Sequence, residues 1–377
     1  MRIACITNSL IPSTTANSIQ VMKVCDAMRQ AGHEICIWAP GKFNTNFNQM
    51  KSLYGLESDF EVRWLPSVRK LRRYDFAIST LHAANRWGAE MVYTWLPQVA
   101  VGALVLGLPT ALEAHDRATG RFGLFWLIKF LKSNGKKQLV LVSQALKHAL
   151  ETQAGFMIPE DDVIIAPNGV DLKRYANLPT SIVARKELGL NEQVTLGYTG
   201  HFYAGRGVEI LFQLAKAYPN VQHLWIGGRE EELALVRIRL ITAGMKNVVL
   251  TGFIDNTRLA KYQSACDILV MPYERVIAGS SGGNSADICS PMKMFEYMAA
   301  GKAIISSDLP VIHEVLNQDS ALFCPPEDAD AWIAAVNLLV NDPVKREVIG
   351  KRAQAVIQDL SIQKRQKRIL QFMESSG

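Results

Sequence analysis

Short, nearly continuous apolar runs rich in β-branched residues, each followed by a longer stretch with helical spacing, recur along the chain and constrain its fold more than any other feature. In the first half the runs are RIACIT, EICIWAP, EVRWLP, MVYTW, PTALEAH, QLVLVS and VIIAPN; in the second they are VTLGYTG, HLWIGG, NVVLTGF, ILVMPY, AIISS and ALFCP. Continuous rather than alternating apolarity marks strands buried on both faces, which are parallel strands covered by helices. Segments such as SIQVMKVCDAMRQAG and VEILFQLAKAY supply those helices. Strand–helix alternation that occurs twice over predicts an α/β protein of two doubly wound, Rossmann-like domains facing across a cleft. A length of 377 residues agrees with two domains. NGVDLKRYANLPTS has neither periodicity and reads as a linker, so the expected boundaries are 1–167, linker 168–181 and 182–360.

Bulk properties exclude several classes. Hydrophobic residues make up 49% and charged residues 20%, as in an ordinary globular protein. No apolar stretch reaches the ~18 residues of a membrane span. The opening MRIACIT runs straight into a strand without a charged-then-apolar leader. Cys5, Cys25, Cys36, Cys266, Cys289 and Cys324 are scattered, with no CxxC pair, which predicts buried reduced thiols rather than disulfides or a metal site. The expected location is therefore cytoplasmic. Residues 1–158 carry 18 Lys and Arg against 10 Asp and Glu, while the rest carry 23 against 25, so the net charge of +6 belongs to the first half. Two clusters dominate it, RKLRR at 69–73 and KFLKSNGKK at 129–137. GRFGLFWLIKFLKSNGKK at 120–137 mixes aromatic residues with lysines, as interfacial helices do. Two readings are open: a solvated charged surface, or attraction to an anionic membrane surface at the inner membrane face, with Phe122, Phe125, Trp126 and Leu127 dipping in beside Lys129, Lys132, Lys136 and Lys137. No nucleic-acid motif occurs, and no nucleic-acid partner is expected.

Ligands of doubly wound sheets bind at the carboxyl ends of the strands, so the residues that follow each run carry the functional reading. After TALEA come His115 and Asp116; after TLGYT come Gly200, His201 and the glycine loop through Arg206 and Gly207; after ILVMPY comes the glycine-rich ERVIAGSSGGNSADICSP. In SPMKMFEYMAAGKAIISSD a helix is expected to begin with Ser290 as N-cap and Pro291 in its first turn, and to end at Gly301. That helix is almost wholly apolar, yet it carries Lys293 and Glu296 one turn apart. The glycine loop with Arg206, then a helix N-terminus with Lys293, has the makings of a diphosphate cradle: backbone donors, a helix dipole and two cations. A GxxxxGK[ST] loop is absent, and so is GxGxxG after the first strand, which argues against P-loop and dehydrogenase chemistry. Glu296 is either satisfied by Lys293 within the helix or held for a ligand.

With these residues in view, the sequence resembles the family-4 glycosyltransferases, which have the GT-B fold. The resemblance rests on GYTGHFYAGRGVEIL, APNGVD, VVLTGFIDNTRLAKYQSACDILVMPY and SPMKMFEYMAAGKAIISSDLPVIHEVL, and more weakly on NSIQVMKVCDAMRQAGHEICIWAP. It implies a retaining, metal-independent enzyme that moves a sugar from a nucleotide-diphosphate sugar, with UDP or GDP as the nucleotide, to a hydroxyl acceptor: a glycan, a lipid-linked carrier or a small molecule. It implies an N-terminal acceptor-binding domain, a C-terminal donor-binding domain, and a final helix at 361–377 that returns to the first. Glu296 would bind the ribose hydroxyls. Arg206 and Lys293 would hold the diphosphate, aided by Gly200, His201 and the helix start at Ser290, Pro291 and Met292. Gly252 and Phe253 would hold the base. His115 would lie near the transferred sugar, and Asp116 and Asn17 near the acceptor. The nucleotide sugar is a co-substrate; neither cofactor nor metal is implied.

The chain departs from the family pattern in three places. Ile288 stands where a first glutamate is usual, with Asp287 one residue away; His201 follows Gly200 where arginine is common; Ala16 and Asn17 replace a double glycine. Two alternatives stay open: a sugar-nucleotide epimerase of the same fold, which would act on the donor alone, and a non-catalytic sugar-nucleotide-binding protein, which the missing glutamate makes plausible.

Overall fold

A computed structural model describes residues 1–41, 46–277 and 284–373. The chain divides into two units, Met1–Gly169 together with the segment from Ile362 onward, and Val170–Ser361.

The first unit is built on β1 (Arg2–Ile6), β2 (Glu34–Pro40), β3 (Glu61–Leu65), β4 (Met91–Thr94), β5 (Thr110–Ala114), β6 (Lys137–Leu141) and β7 (Val163–Ile165). They form one sheet in the order β3-β2-β1-β4-β5-β6-β7, and every pairing is parallel. The strand order reverses between β1 and β4, which makes their carboxyl ends the topological switch point. Alternate residues of one strand serve opposite cores. Ile3 and Cys5 of β1 and Ile35 and Ile37 of β2 pack with Val21, Met22 and Met28 of the helix Ala16–Gln30. Ala4, Ile6, Cys36 and Trp38 pack with Phe76, Leu81 and Val99 on the other face. A strand with two buried faces favours apolar residues on both, which accounts for the nearly continuous runs in the sequence. The C-terminal helix Ile362–Leu370 adds Ile362, Ile369 and Leu370 to the first of these cores.

The second unit holds β8 (Thr195–Thr199), β9 (Gln222–Ile226), β10 (Val248–Leu250), β11 (Ile268–Met271), β12 (Ala303–Ser307) and β13 (Leu322–Cys324). Their order is β10-β9-β8-β11-β12-β13, again with parallel pairings. Here the switch point lies between β8 and β11. Leu196, Tyr198, Trp225, Ile305 and Trp332 share its main core. Both sheets match the strand succession read from the sequence. The six cysteines are unpaired, and five of them are buried.

Three local expectations differ from the structure. The segment 168–181 is no free linker. Asn168 is buried in the first unit, while Val170, Asp171 and Tyr175 are buried in the second. Asp171 caps the short 3-10 turn Leu172–Tyr175, and Thr180 caps the helix Ser181–Leu188. These polar side chains satisfy backbone donors, which the apolar periodicity does not register. The helix after β11 spans Met292–Ala299, and Pro291 rather than Ser290 occupies its N-cap position, with no side-chain cap. Leu127, expected at an interface, is buried in the first unit.

Candidate functional site

In the second unit the site residues gather at the carboxyl ends of β8 and β11. The chain leaves β8 at Gly200, whose φ of 146° lies in a region open to glycine. A Cβ there would come within 2.8 Å of Lys293 Nζ and 3.1 Å of the Tyr198 hydroxyl, so the glycine makes room for the ammonium. Gly207 is tighter still: a Cβ would sit 1.7 Å from the Pro272 carbonyl oxygen. The glycine loop is braced from within. Glu274 accepts from the amides of Gly205 at 3.0 Å and Gly207 at 3.1 Å, and Glu232 accepts from the Phe202 amide at 2.8 Å. The Gly200 amide donates to Ile226 at 2.8 Å. Those amides are engaged within the protein.

Arg206 and Lys293 converge on one aromatic ring. Each lies 5.2 Å from the centroid of Tyr273; Lys293 is also 4.2 Å from Tyr198, and Arg206 4.8 Å from Tyr203. The Arg206 guanidinium donates to the Tyr203 hydroxyl, while its Nε is buried without a partner among the described residues. Burial, reinforced by the nearby positive charge of Arg206, holds the Lys293 pKa well below the usual lysine range, against the pull of Glu296. Both side chains face the same ring, and among the described residues neither forms an ion pair with a carboxylate.

Glu296 is buried and does not pair with Lys293. Its Oε2 accepts one hydrogen bond, at 3.2 Å from Gln263 Nε2, and Gln263 Oε1 in turn accepts from the Tyr175 hydroxyl at 2.8 Å. The alternative in which Lys293 satisfies Glu296 within the helix is thereby set aside. His201 lies beside Glu232, with Nδ1 3.3 Å from its carboxylate, and burial lowers its pKa. Gly252 follows β10, and its carbonyl accepts from the Gly227 amide at 2.9 Å, leaving Phe253 exposed. Ser290 and Met292 are half-buried at the helix start, and Pro291 is buried. Ile288 is buried and Asp287 exposed. Residues 278–283 of the glycine-rich loop after β11 lie outside the described residues.

In the first unit His115 stands just beyond β5, and its Nε2 lies 2.6 Å from Glu113 Oε1. Glu113, unnoticed in the sequence reading, is buried inside the sheet. It accepts from Gln20 Nε2 at 2.9 Å, Arg365 at 2.8 Å and the Tyr93 hydroxyl. Burial alone would raise its pKa, but Arg365 and the His115 hydrogen bond hold it well below the ordinary carboxylate range. Asp116 accepts from the Arg117 amide at 2.8 Å. Asn17 is exposed in the first turn of the helix Ala16–Gln30, one turn before Gln20. The signal that could have found Glu113 is the one that marked Glu296, a carboxylate inside an apolar element. Arg365, Gln263, Glu274 and Glu232 carry no such signal.

Comparison with known proteins agrees with this arrangement. Residues 18–174 match the model of Glycosyltransferase Family 4, and residues 193–342 match that of Glycosyl transferases group 1. A phosphatidyl-myo-inositol mannosyltransferase of Mycolicibacterium smegmatis is 25% identical over 354 residues, spanning 89% of this chain and 84% of that protein. Among solved structures, HepE of Anabaena in complex with UDP-glucose superposes with a TM-score of 0.76 at 16% identity, covering 100% of both chains. A glycosyltransferase from Rickettsia africae gives 0.77 at 13% identity, covering 100% of this chain and 99% of that one. The two family models together span both units, and the chain belongs to the family-4 glycosyltransferases of the GT-B fold.

Proposed function

We propose that this glycosyltransferase takes its sugar from a nucleotide-diphosphate donor held by the second unit and passes it, with retention, to a hydroxyl acceptor held by the first. The observation that carries this reading is the separation of Lys293 from Glu296: one turn apart on a buried helix, they leave each other unpaired. The cation suits a diphosphate and the carboxylate suits two vicinal ribose hydroxyls. Arg206 and Lys293 together neutralise the leaving diphosphate, a task that metal ions perform in other transferases. In retaining transfer on one face of the sugar, the departing phosphate oxygen takes the acceptor proton, and no separate general base is required. His115 then touches the sugar. HepE is named for a UDP-glucose complex, and a Corynebacterium glutamicum relative is described as GDP-mannose-dependent, so both nucleotides belong in the test. Incubation of the full chain with UDP- and GDP-sugars and candidate acceptors should yield a glycosylated product with its anomeric configuration kept. Isomerised donor without acceptor would support the epimerase alternative, and donor binding without turnover the non-catalytic one. The family models are of transferases, which favours neither alternative.

A membrane-borne acceptor at the inner face of the cytoplasmic membrane is favoured by the helix Gly120–Lys132, where Phe122 and Phe125 are exposed on the same helix as Lys129 and Lys132. No described helix is long and apolar enough to cross a membrane, so such binding is peripheral. Lys136 and Lys137 contribute less than their sequence suggests, because Lys136 donates to the Met373 carbonyl and Lys137 pairs with Asp162 at 3.2 Å. Two lysines at about 1 kcal/mol each give salt-sensitive attachment. Co-sedimentation with anionic liposomes at low salt, lost at high salt or with neutral lipid, is the expected result; equal recovery in the supernatant under all conditions favours a soluble acceptor.

A further inference from the structure

The buried carboxylate of Glu113 is surrounded by donors. Arg365 reaches Oε1 at 2.8 Å, Gln20 Nε2 reaches it at 2.9 Å, and the Tyr93 hydroxyl donates to Oε2. Arg365 is itself buried, and its remaining hydrogen bonds go to the carbonyls of Ala166 and Pro167, so Glu113 is the one anion paired with it among the described residues. A guanidinium keeps its charge in any protein setting, and Glu113 is accordingly ionised. An ionised carboxylate only accepts hydrogen bonds. The His115 Nε2 at 2.6 Å must therefore carry the proton of that contact. On the neutral ring Nδ1 is then the acceptor nitrogen; among the described residues it has no protein partner, and the side chain is 28% exposed. Residues two apart on an extended strand point the same way, which is why Glu113 reaches His115 from inside the sheet.

We propose that Glu113 is a positioning residue for sugar transfer. Held ionised by Arg365, it fixes His115 as the Nε2–H form and presents Nδ1 to accept a hydrogen bond from a hydroxyl of the bound sugar. The C-terminal helix, through Arg365, is thus part of the apparatus that orients a site residue at the far end of β5. The role in transfer rests on the reading of His115 given above. The tautomer does not, and it can be measured without turnover.

The test uses the full chain. Ring 15N NMR, with the His115 signals assigned from the His115→Gln variant, should show Nε2–H in the wild type and a mixture of tautomers in Glu113→Gln. Glu113→Gln should lower kcat about 10–100-fold, the range for losing a carboxylate that orients a metal-bound histidine, with little change in the KM for donor. In the double variant with His115→Gln the rate should equal that of His115→Gln alone, because Glu113 acts through His115. If Glu113→Gln fails to fold, Glu113→Asp retains the charge opposite Arg365 and should show the same non-additivity. Nδ1–H in the wild type overturns the proposal. Equal slowing of the wild type and the His115→Gln background by the Glu113 substitution overturns it as well, because that is the mark of a purely structural contact. A His115→Gln variant that transfers at the wild-type rate, with the expected tautomer still observed in the wild type, overturns the role of His115 and with it the positioning role.

Discussion

Arg365 and Glu113 are 252 residues apart in sequence and form a buried ion pair of 2.8 Å that fastens the C-terminal helix to the end of β5. Breaking one partner of such a pair leaves an uncompensated charge inside the protein. Arg365→Met is expected to destabilise the first unit by about 3–5 kcal/mol, read as a lowered urea midpoint for the full chain. The Glu113 pKa is depressed on folding, so its contribution is present at neutral pH and is lost as pH falls below the ordinary carboxylate range. The gap between wild type and variant should therefore narrow under acid. An unchanged midpoint at neutral pH would show that the pair contributes nothing net.

Replacing Glu296 by Gln keeps its size and its contact with Gln263 while removing the charge. If the carboxylate accepts from ribose, nucleotide binding weakens by about 1.5–3 kcal/mol, roughly ten- to hundredfold in Kd. Isothermal titration with UDP and GDP measures it. A folded variant that binds both as tightly as the wild type removes the ribose assignment.

Lys293 sits where its charged form is disfavoured. Desolvation of its amine and the neighbouring Arg206 both lower its pKa, against the pull of Glu296. Lys293→Met should melt at or above the wild-type temperature without ligand, since a buried like charge is gone. It should also lose most of the stabilisation that nucleotide diphosphates give the wild type, because that shift scales with affinity. Thermal melts with and without UDP and GDP compare the two; a melting temperature well below that of the unliganded wild type would mean the ammonium is a structural element.

His223 predicts an acid-sensitive second unit. It lies fully buried in β9, between Leu196 and Val248 of the adjacent strands, and among the described residues neither ring nitrogen has a well-formed hydrogen bond. Burial lowers its pKa to about 4, with the Tyr218 carbonyl acting weakly the other way. Because the unfolded chain binds the proton first, stability is complete above pH ~6.5 and declines between pH ~6.5 and ~4 by about 3 kcal/mol. Replacement by Leu should flatten that slope. A variant as acid-sensitive as the wild type across this window would assign the slope to other groups.

The sheets were legible because most strands are buried on both faces and so read as nearly continuous apolar runs, as in RIACI and ILVM; β3, with Glu61 and Arg63, is less buried, but its apolar residues still mark it. Glu296, Lys293 and Arg206 were legible for the complementary reason, as charges set in apolar or glycine-rich surroundings. Glu113 was overlooked in TALEAH although it obeys the same rule, because a strand of five residues gives a single charge little contrast. Arg365 could not be found from local sequence. It is one of several basic residues in QKRQKR, and only the packing of that helix on the Ala16–Gln30 helix selects it as the buried one. The role of Glu274 was equally hidden, since its glycine-loop partners lie 69 and 67 residues away. The cap of the Met292–Ala299 helix was misplaced by one residue because serine and proline both suit helix starts, and the backbone gave the position to Pro291.

Because the second unit is contiguous and the first is not, synthesis of this chain reverses the usual order of domain folding. All of Val170–Ser361 has been made before Ile362 appears. When it is made, Glu113 has been in the nascent chain for roughly 250 residues without its counter-charge, a delay of about 10–50 s at ordinary elongation rates. Until then the core of the first sheet lacks Ile362, Ile369 and Leu370, and its buried carboxylate is unneutralised. The N-terminal unit is thus begun first and completed last. A chain truncated after Ser361 and released should display a protease-resistant second unit attached to a first unit that is still open to cleavage.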